Sequence, residues 1–190
     1  LNAIYLASDM IQSIRTLQAE IEATETQDGD YNVPYSTLHV GRIEGGTALN
    51  IVPQACSFLF EIRNLSSTRA EEVLARLRSL AQVIIAPYQE RFPQAAIEID
   101  ITNRYPALDT DPTADVVKFV QSLAEQNGTM KVAFGTEGGL FSDVLGLPTV
   151  VCGPGSMDQG HRPDEFLTVD QLQRCDAMLA RLVGRLQEGL

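Results

Sequence analysis

The sequence predicts two unlike folding units: an α+β module from residue 1 to 106, and the C-terminal part of an α/β domain from 107 to 190. The elements of the first unit follow the order helix, strand, strand, helix, strand, which is a split β-α-β pattern that lacks its first strand. The second unit alternates helices with short apolar strands, which is typical of the edge of a buried parallel sheet.

Length, composition and charge argue against several classes of protein and partner. With 190 residues, 44% of them hydrophobic and 21% charged, the chain is long enough to fold around a core without disulfides. The net charge of −11 argues against nucleic acid or an anionic membrane as the main partner, since phosphate binding requires clustered Lys and Arg. Three cysteines far apart in sequence indicate a reduced, cytoplasmic protein, and no apolar run is long enough to cross a bilayer.

The first unit opens on an amphipathic helix. Apolar side chains recur at every third or fourth position from Ile4 to Ile21, so one face of a helix over this stretch is apolar. A polar loop follows at 24–35, and strands are predicted at 36–44 and 57–63, where apolar and polar residues alternate. The glycines and proline of 44–53 indicate a shaped connection between the strands.

A helix and a strand complete the first unit. Thr68, followed three residues later by Glu71, is typical of a capping box that opens a helix from Val73 to about Ile85. Residues 97–101 alternate apolar with acidic side chains, which predicts a half-exposed strand. We expect the missing first strand of the motif just upstream of Leu1. The sequence opens without Met or a secretory signal, so we also expect it to be a piece of a longer protein.

Residues typical of helix ends predict the helices of the second unit. Asp111 and Pro112 predict the N-cap and first turn of a helix that runs to a stop at Asn127–Gly128. Thr168 and Gln171 predict the cap of a last helix, which has an apolar face.

The predicted strands of the second unit point to a functional edge. They lie at 131–134 and 148–152, and each leads into a glycine-rich loop, 135–139 and 153–161. Binding sites of open α/β sheets lie outside the carboxyl ends of the strands. The two loops are therefore the places where we expect the site.

The two histidines are the first candidates for functional residues. His161 follows a predicted strand in a glycine-rich turn, where it is as well suited to bind a metal as to make an ordinary hydrogen bond. Asp158, Asp164 and Glu165 are near it in sequence and could orient its ring. Ordinary turn chemistry explains the last two equally well. His39 alternates with apolar strand residues, so a structural role is the better interpretation.

The other candidates are polar groups in loops and at strand ends. The backbone amides of Gly135 and Thr136 could hold a carboxylate or an oxyanion. Glu137 could act as a base, but the start of a helix explains it better. Arg63 ends an apolar strand, where it could bind a carboxylate through two hydrogen bonds or make a structural salt bridge. Asn50 is the other polar residue of the first unit that stands out from its surroundings. No Walker, GxSxG, HExxH or CxxC motif is present.

Several stretches together resemble a known family: 45-GGTALNIVP-53, 60-FEIRNL-65, and 135-GTEGGLFSDVLGLPTVVCGPG-155 with the histidine loop after it. The whole chain is similar to the C-terminal half of the di-zinc amidohydrolases, the family of acetylornithine deacetylase, succinyl-diaminopimelate desuccinylase, aminoacylase and glutamate carboxypeptidase. Within this family, GTEGGLF together with GPGSMDQGHRPDEF most resembles the acetylornithine deacetylase branch.

The resemblance implies a fold for each unit. Residues 1–106 would form a ferredoxin-like dimerisation (lid) domain without its first strand, which pairs with its counterpart in a homodimer. Residues 107–190 would form the C-terminal part of an α/β zinc-hydrolase catalytic domain.

The resemblance also implies roles by position. His161 matches the last zinc ligand. Asn50 and Arg63 match lid residues that contact the substrate at a site that draws groups from both subunits. Gly135 and Thr136 match the loop that holds the substrate near the metals. The other ligands, the general base and the lid histidine would lie upstream of this sequence, so no catalytic residue is expected within it.

The implied reaction is hydrolysis of a small-molecule N-acyl amino acid, most narrowly of N2-acetylornithine to ornithine and acetate in arginine biosynthesis. Two zinc ions, with cobalt as an alternative, would lower the pKa of a bridging water. Without the other ligands, we expect the fragment to be inactive alone. Two hypotheses remain beside this one: a non-catalytic dimerisation or interaction module, and a sibling activity on succinyl-diaminopimelate or on a glutamate conjugate.

Overall fold

The computed structural model describes residues 1–160 and 162–189. The chain forms two compact units, Leu1–Ala107 with Lys131–Gly135, and Leu108–Met130 with Thr136–Leu190. The division into a lid and a catalytic part at residue 107 stays a prediction about the architecture.

Helix α1 spans Ala3–Thr24, as the apolar periodicity predicts. It begins where the Asn2 side chain accepts a hydrogen bond from the Ile4 backbone N–H at 2.9 Å. The buried side chains recur at helical spacing on one face: Leu6, Ala7, Met10, Ile14, Leu17 and Ile21. Burying each of the Leu, Met and Ile side chains contributes about 1.5–3 kcal/mol.

Strands β1 (Thr37–Gly45) and β2 (Cys56–Arg63) pair antiparallel and confirm both predicted strands. Leu38 lies opposite Ile62, and the register shifts by one residue between Val40 and Arg42. The inward-facing residues of the sheet pack against a core that α1 shares with a second helix. That core contains Met10, Ile14, Leu17, Ile21, Leu38, Val73, Leu77 and Ala81.

Helix α2 spans Ala70–Gln89, and both of its ends differ from the prediction. The expected capping box of Thr68 and Glu71 is wrong, because the Thr68 hydroxyl donates to Glu25 instead and the helix begins at Ala70 without a side-chain cap. The helix also continues through Pro87. Proline has no N–H to donate to the Val83 carbonyl four residues earlier, so the helix lacks that one backbone hydrogen bond.

The strands predicted at 97–101, 131–134 and 148–152 are wrong, since none pairs in a β-ladder within the described residues. Ile97 and Ile99 nevertheless pack against the core of the first unit. At 97–99 the alternation of apolar residues therefore indicated correctly which side packs on the core. It could not report a hydrogen-bonding neighbour, which a strand also needs.

The second unit contains α3 (Asp115–Ala124), α4 (Gly138–Asp143) and α5 (Val169–Glu188). Asp111 does not cap α3 as predicted. Its carboxylate accepts from the Thr113 backbone and hydroxyl, both at 2.7 Å, so it closes a turn before the helix.

The end of α3 also differs from the prediction. It stops at Glu125, which adopts a left-handed φ of 54°, rather than at Asn127–Gly128. The Glu125 carboxylate pairs with Arg181 of α5 at 3.3 Å, and Arg181 also donates to the Leu123 carbonyl at 2.6 Å.

The start of α5 is confirmed. Thr168 accepts from the Gln171 backbone N–H, and the Gln171 side chain returns to the cap, which completes the capping box. No described residue of α5 is buried, and Leu172, Leu179 and Leu186 of its apolar face are about half-exposed.

Candidate functional site

Arg63 lies at the last position of β2, where the strand leaves the sheet. Its guanidinium donates to the Glu61 carboxylate at 2.9 Å through both Nε and Nη2, and to the Ala133 carbonyl at 3.0 Å through Nη1. The side chain is 42% exposed. The group is therefore held in place while its side chain stays accessible to solvent.

The segment Lys131–Gly135 packs with the first unit. Its Lys131 ammonium lies 2.9 Å from the Asp28 carboxylate and 5.5 Å from the centre of the Tyr31 ring. The hydrogen bond from Lys131, followed by that from the Asp30 backbone, holds the pKa of Asp28 below its usual value of 3.8. At the other end of the segment, Gly135 lies beside the Tyr105 ring.

Thr136 follows directly and begins the second unit. Its hydroxyl oxygen accepts from the Gly138 backbone N–H at 3.1 Å, so it closes the turn that starts α4. Glu137 stands at the N-cap position of α4 by its backbone, and its side chain makes no cap bond. The position of Glu137 at a helix start is as the simpler interpretation predicts, and its chemical role stays open.

Asn50 lies in the exposed connection between β1 and β2, at the opposite end of β2 from Arg63. An open groove of about 560 Å³ runs along this connection, lined by Asn2, Ile4 and residues 45–53. The eight residues of β2 span about 24 Å, and Asn50 and Arg63 lie beyond and at its opposite ends. The structure thus does not bring these two predicted substrate contacts together within one chain.

His161 lies outside the described residues. The turn before it is closed by the Ser156 carbonyl, which accepts from the backbone N–H groups of Gln159 and Gly160, both at 3.0 Å. Its role as a metal ligand stays a prediction.

The described part of the chain contains no group of three His, Cys, Asp or Glu side chains that could hold a metal ion. These residues therefore do not fit a zinc site by themselves. Within the same residues, no helix is both long and apolar enough to span a bilayer.

The sequence did not single out Asp28 or Lys131, although they anchor the segment that leads into Gly135. The two residues are separated by 103 positions. Neither lies in a local motif, so only the folded chain shows that they meet.

Comparison with known proteins fits this architecture. Residues 1–89 match the family model of the peptidase dimerisation domain of the M20 peptidases. An aminopeptidase PepT from Bacillus cereus ATCC 10987 shares the fold with a TM-score of 0.56 and 21% identity, over 94% of this chain and 44% of that one.

Curated relatives match along nearly the whole chain. An acetylornithine deacetylase from Myxococcus xanthus is 33% identical over 96% of this chain and 46% of its own length. Another from Pasteurella multocida (strain Pm70) is 30% identical over 100% of this chain and 47% of its own length. The chain thus spans about half the length of these relatives. These matches support the M20 family for this chain, with similarity to the C-terminal half of acetylornithine deacetylase-like proteins.

Proposed function

We propose that this chain is the substrate-binding and dimer-forming half of a hydrolase that releases an amino acid from its N-acyl derivative, with N2-acetylornithine as the substrate. Similarity to proteins named acetylornithine deacetylase supports the reaction class. The hydrogen bond from Arg63 to the Ala133 carbonyl carries the proposal. It holds a cation against the backbone two residues before Gly135.

In this proposal Arg63 binds the substrate carboxylate. A guanidinium is always charged at physiological pH and matches a carboxylate with two parallel hydrogen bonds. The backbone N–H groups of Gly135 and Thr136 donate to substrate oxygens next to it. Arg63 and the turn therefore orient the substrate, and neither transfers a proton.

The position of Asn50 supports dimer formation. It lies at the opposite end of β2 from Arg63, and the strand, about 24 Å long, is longer than an acetylated amino acid. Asn50 would contact it from a second copy. The match to a dimerisation domain supports this arrangement.

Zinc is an expectation for the intact protein. The described residues hold no metal group, so the chain would contribute His161 as one ligand, and the others would come from elsewhere. Two zinc ions, or cobalt in their place, would supply the activated water when bound.

A direct test expresses the full reading frame that contains this sequence and measures amino-acid release from N2-acetylornithine with zinc or cobalt. N-succinyl-diaminopimelate and an N-acyl glutamate serve as competing substrates. We expect kcat/KM to be highest for N2-acetylornithine. A higher value for either competitor would assign the sibling activity instead.

The match to a dimerisation domain favours a second function, a non-catalytic dimerisation module. The same preparation distinguishes the two. A stable dimer in sedimentation that hydrolyses none of the three substrates with either metal would reject the hydrolase and support the module.

A further inference from the structure

The segment Lys131–Gly135 is attached to the first unit at three places along its length. Lys131 meets Asp28 and the Tyr31 ring at its start, the Ala133 carbonyl accepts from Arg63 in its middle, and Gly135 lies against Tyr105 at its end. The five-residue segment is therefore anchored, although it has no β-ladder within the described residues.

The partner of Lys131 is already ordered by its own loop. One carboxylate oxygen of Asp28 accepts from the Asp30 backbone N–H at 3.0 Å. The Asp28 backbone N–H donates to the Pro34 carbonyl at 2.8 Å, and its carbonyl accepts from the Tyr31 N–H at 3.3 Å. These bonds leave the second carboxylate oxygen, Oδ2, directed at Lys131, 2.9 Å away.

Because its loop already orders Asp28, the Lys131–Asp28 pair differs from an ordinary surface ion pair. Exposed pairs contribute little because two long side chains must be ordered and solvent screens their charges. Here one partner is held by the backbone, and the two side chains are only 27% and 28% exposed. The Tyr31 face adds a cation–π contact to the ammonium.

We propose that Lys131 is a positioning residue, which acts through Asp28 and Tyr31 to hold the Gly135–Thr136 turn in place for substrate. The Lys131 ammonium is engaged by Asp28 and by the Tyr31 ring, four residues before Gly135, so it acts by anchoring the segment and not on the substrate. This rests on the proposed function for its effect on substrate, and on the contacts alone for its effect on the segment.

The test first measures backbone order without any substrate. Hydrogen–deuterium exchange of peptides covering 131–138 is compared between the wild-type chain and the Lys131→Met, Asp28→Asn and Lys131→Arg variants. Loss of the cation or the anion is expected to speed exchange there by up to about fivefold, and the arginine variant should retain most of the protection.

Lys118→Met is the matched control, because Lys118 makes an exposed ion pair with Asp115 one helical turn away. It should leave exchange at 131–138 unchanged. If Lys131→Met exchanges as the wild type does, or if Lys118→Met speeds exchange there as much, the proposal is overturned.

The second readout separates this idea from the proposed function. In the active full-length protein, Lys131→Met should raise KM for N2-acetylornithine at least threefold while kcat changes little, and Lys131→Arg should restore KM. Faster exchange without a change in KM would overturn the link to substrate. Faster exchange in a protein that hydrolyses none of the tested substrates would support the anchor and reject the proposed function.

Discussion

Ser36 and Glu25 are joined by two hydrogen bonds, one from the Ser36 backbone N–H and one from its hydroxyl, the second 2.7 Å long. Ser36 is fully buried, and its hydroxyl oxygen also accepts from the Leu65 backbone N–H at 3.0 Å. Thr68 donates to the same Glu25 carboxylate. One carboxylate at the end of α1 thus ties together the starts of β1 and α2.

Replacing Ser36 by alanine should destabilise the first unit by about 1–3 kcal/mol, because the buried Leu65 N–H would lose its acceptor. Urea unfolding followed by circular dichroism measures the loss. Ser79→Ala is the control, since the Ser79 hydroxyl bonds only its own helix on the exposed face, and its effect should stay within about 0.5 kcal/mol. Equal effects of the two substitutions would contradict the role given to Ser36.

Asn50 and Arg63 should complement each other between subunits. Homodimers of Asn50→Ala and of Arg63→Met should each be nearly inactive in the full-length protein. When they are mixed and allowed to exchange subunits, half of the dimers are mixed and each of these has one intact site, so activity should return to about one quarter of wild type. The measurement is the initial rate of N2-acetylornithine hydrolysis after exchange. No recovery in a mixture shown to contain heterodimers would mean that both residues serve one site from one chain, or that neither serves it.

Two helical glycines should respond to alanine in opposite directions. A Cβ at Gly138 would lie 2.9 Å from a terminal methyl of Leu108, which can move, and 3.0 Å from the Thr136 hydroxyl, which is held by the Gly138 N–H, so Gly138→Ala should destabilise the second unit by about 1 kcal/mol. A Cβ at Gly184, inside α5, meets nothing within 4 Å, so Gly184→Ala should stabilise it by about 0.5–1 kcal/mol. Thermal unfolding of both variants checks the signs. Stabilisation by both substitutions would show that the turn at Thr136 has more room than the structure indicates.

The contribution of Asp28 to stability should depend on pH in one direction. Its pKa is lowered from 3.8 in the folded chain, first by the Lys131 hydrogen bond, so folding favours the charged carboxylate. The stabilisation is then complete above the unfolded-state pKa and is lost as pH falls through the folded-state pKa. Comparing wild type with Asp28→Asn by urea unfolding should give a constant difference near pH 7 that shrinks below about pH 4. A difference that persists unchanged to pH 2 would mean that the charge of Asp28 is not what stabilises the loop.

Two capping motifs show how far local sequence predicts this fold. Thr168 with Gln171 forms the predicted box at α5, because both partners belong to the same helix end. Thr68 with Glu71 has the same spacing but forms none, since Glu25, 43 residues away, takes the Thr68 hydroxyl. Local spacing is sufficient only when no distant group competes for the same atoms.

The candidate site likewise combines a feature that local sequence predicts with one that it does not. The position of Arg63 at the end of a strand follows from alternation along β2, which is local. Its bond to Ala133 spans 70 positions, so sequence pattern could not predict it. The predictions of strands at 97–101 and 131–134 were wrong for a related reason. An apolar pattern indicates which side packs on a core, whereas a β-ladder also requires a neighbouring strand in register to hydrogen-bond with.

The path of the chain through Lys131–Gly135 has a consequence for how the protein can be divided. Because the backbone leaves the first unit after Ala107, returns at Lys131 and leaves again after Gly135, three covalent links join the two units. A cut at 130–131 or at 135–136 leaves residues 1–107 covalently joined to the second unit, whereas a cut at 107–108 leaves only the contacts of Lys131–Gly135 to hold the two fragments together. A gene truncated after Ala107 would produce a protein whose Arg63 has lost the Ala133 carbonyl and whose Asp28 has lost its lysine. Separate expression of the first unit therefore requires the peptide 131–135 to be grafted back, through a short linker, behind residue 107.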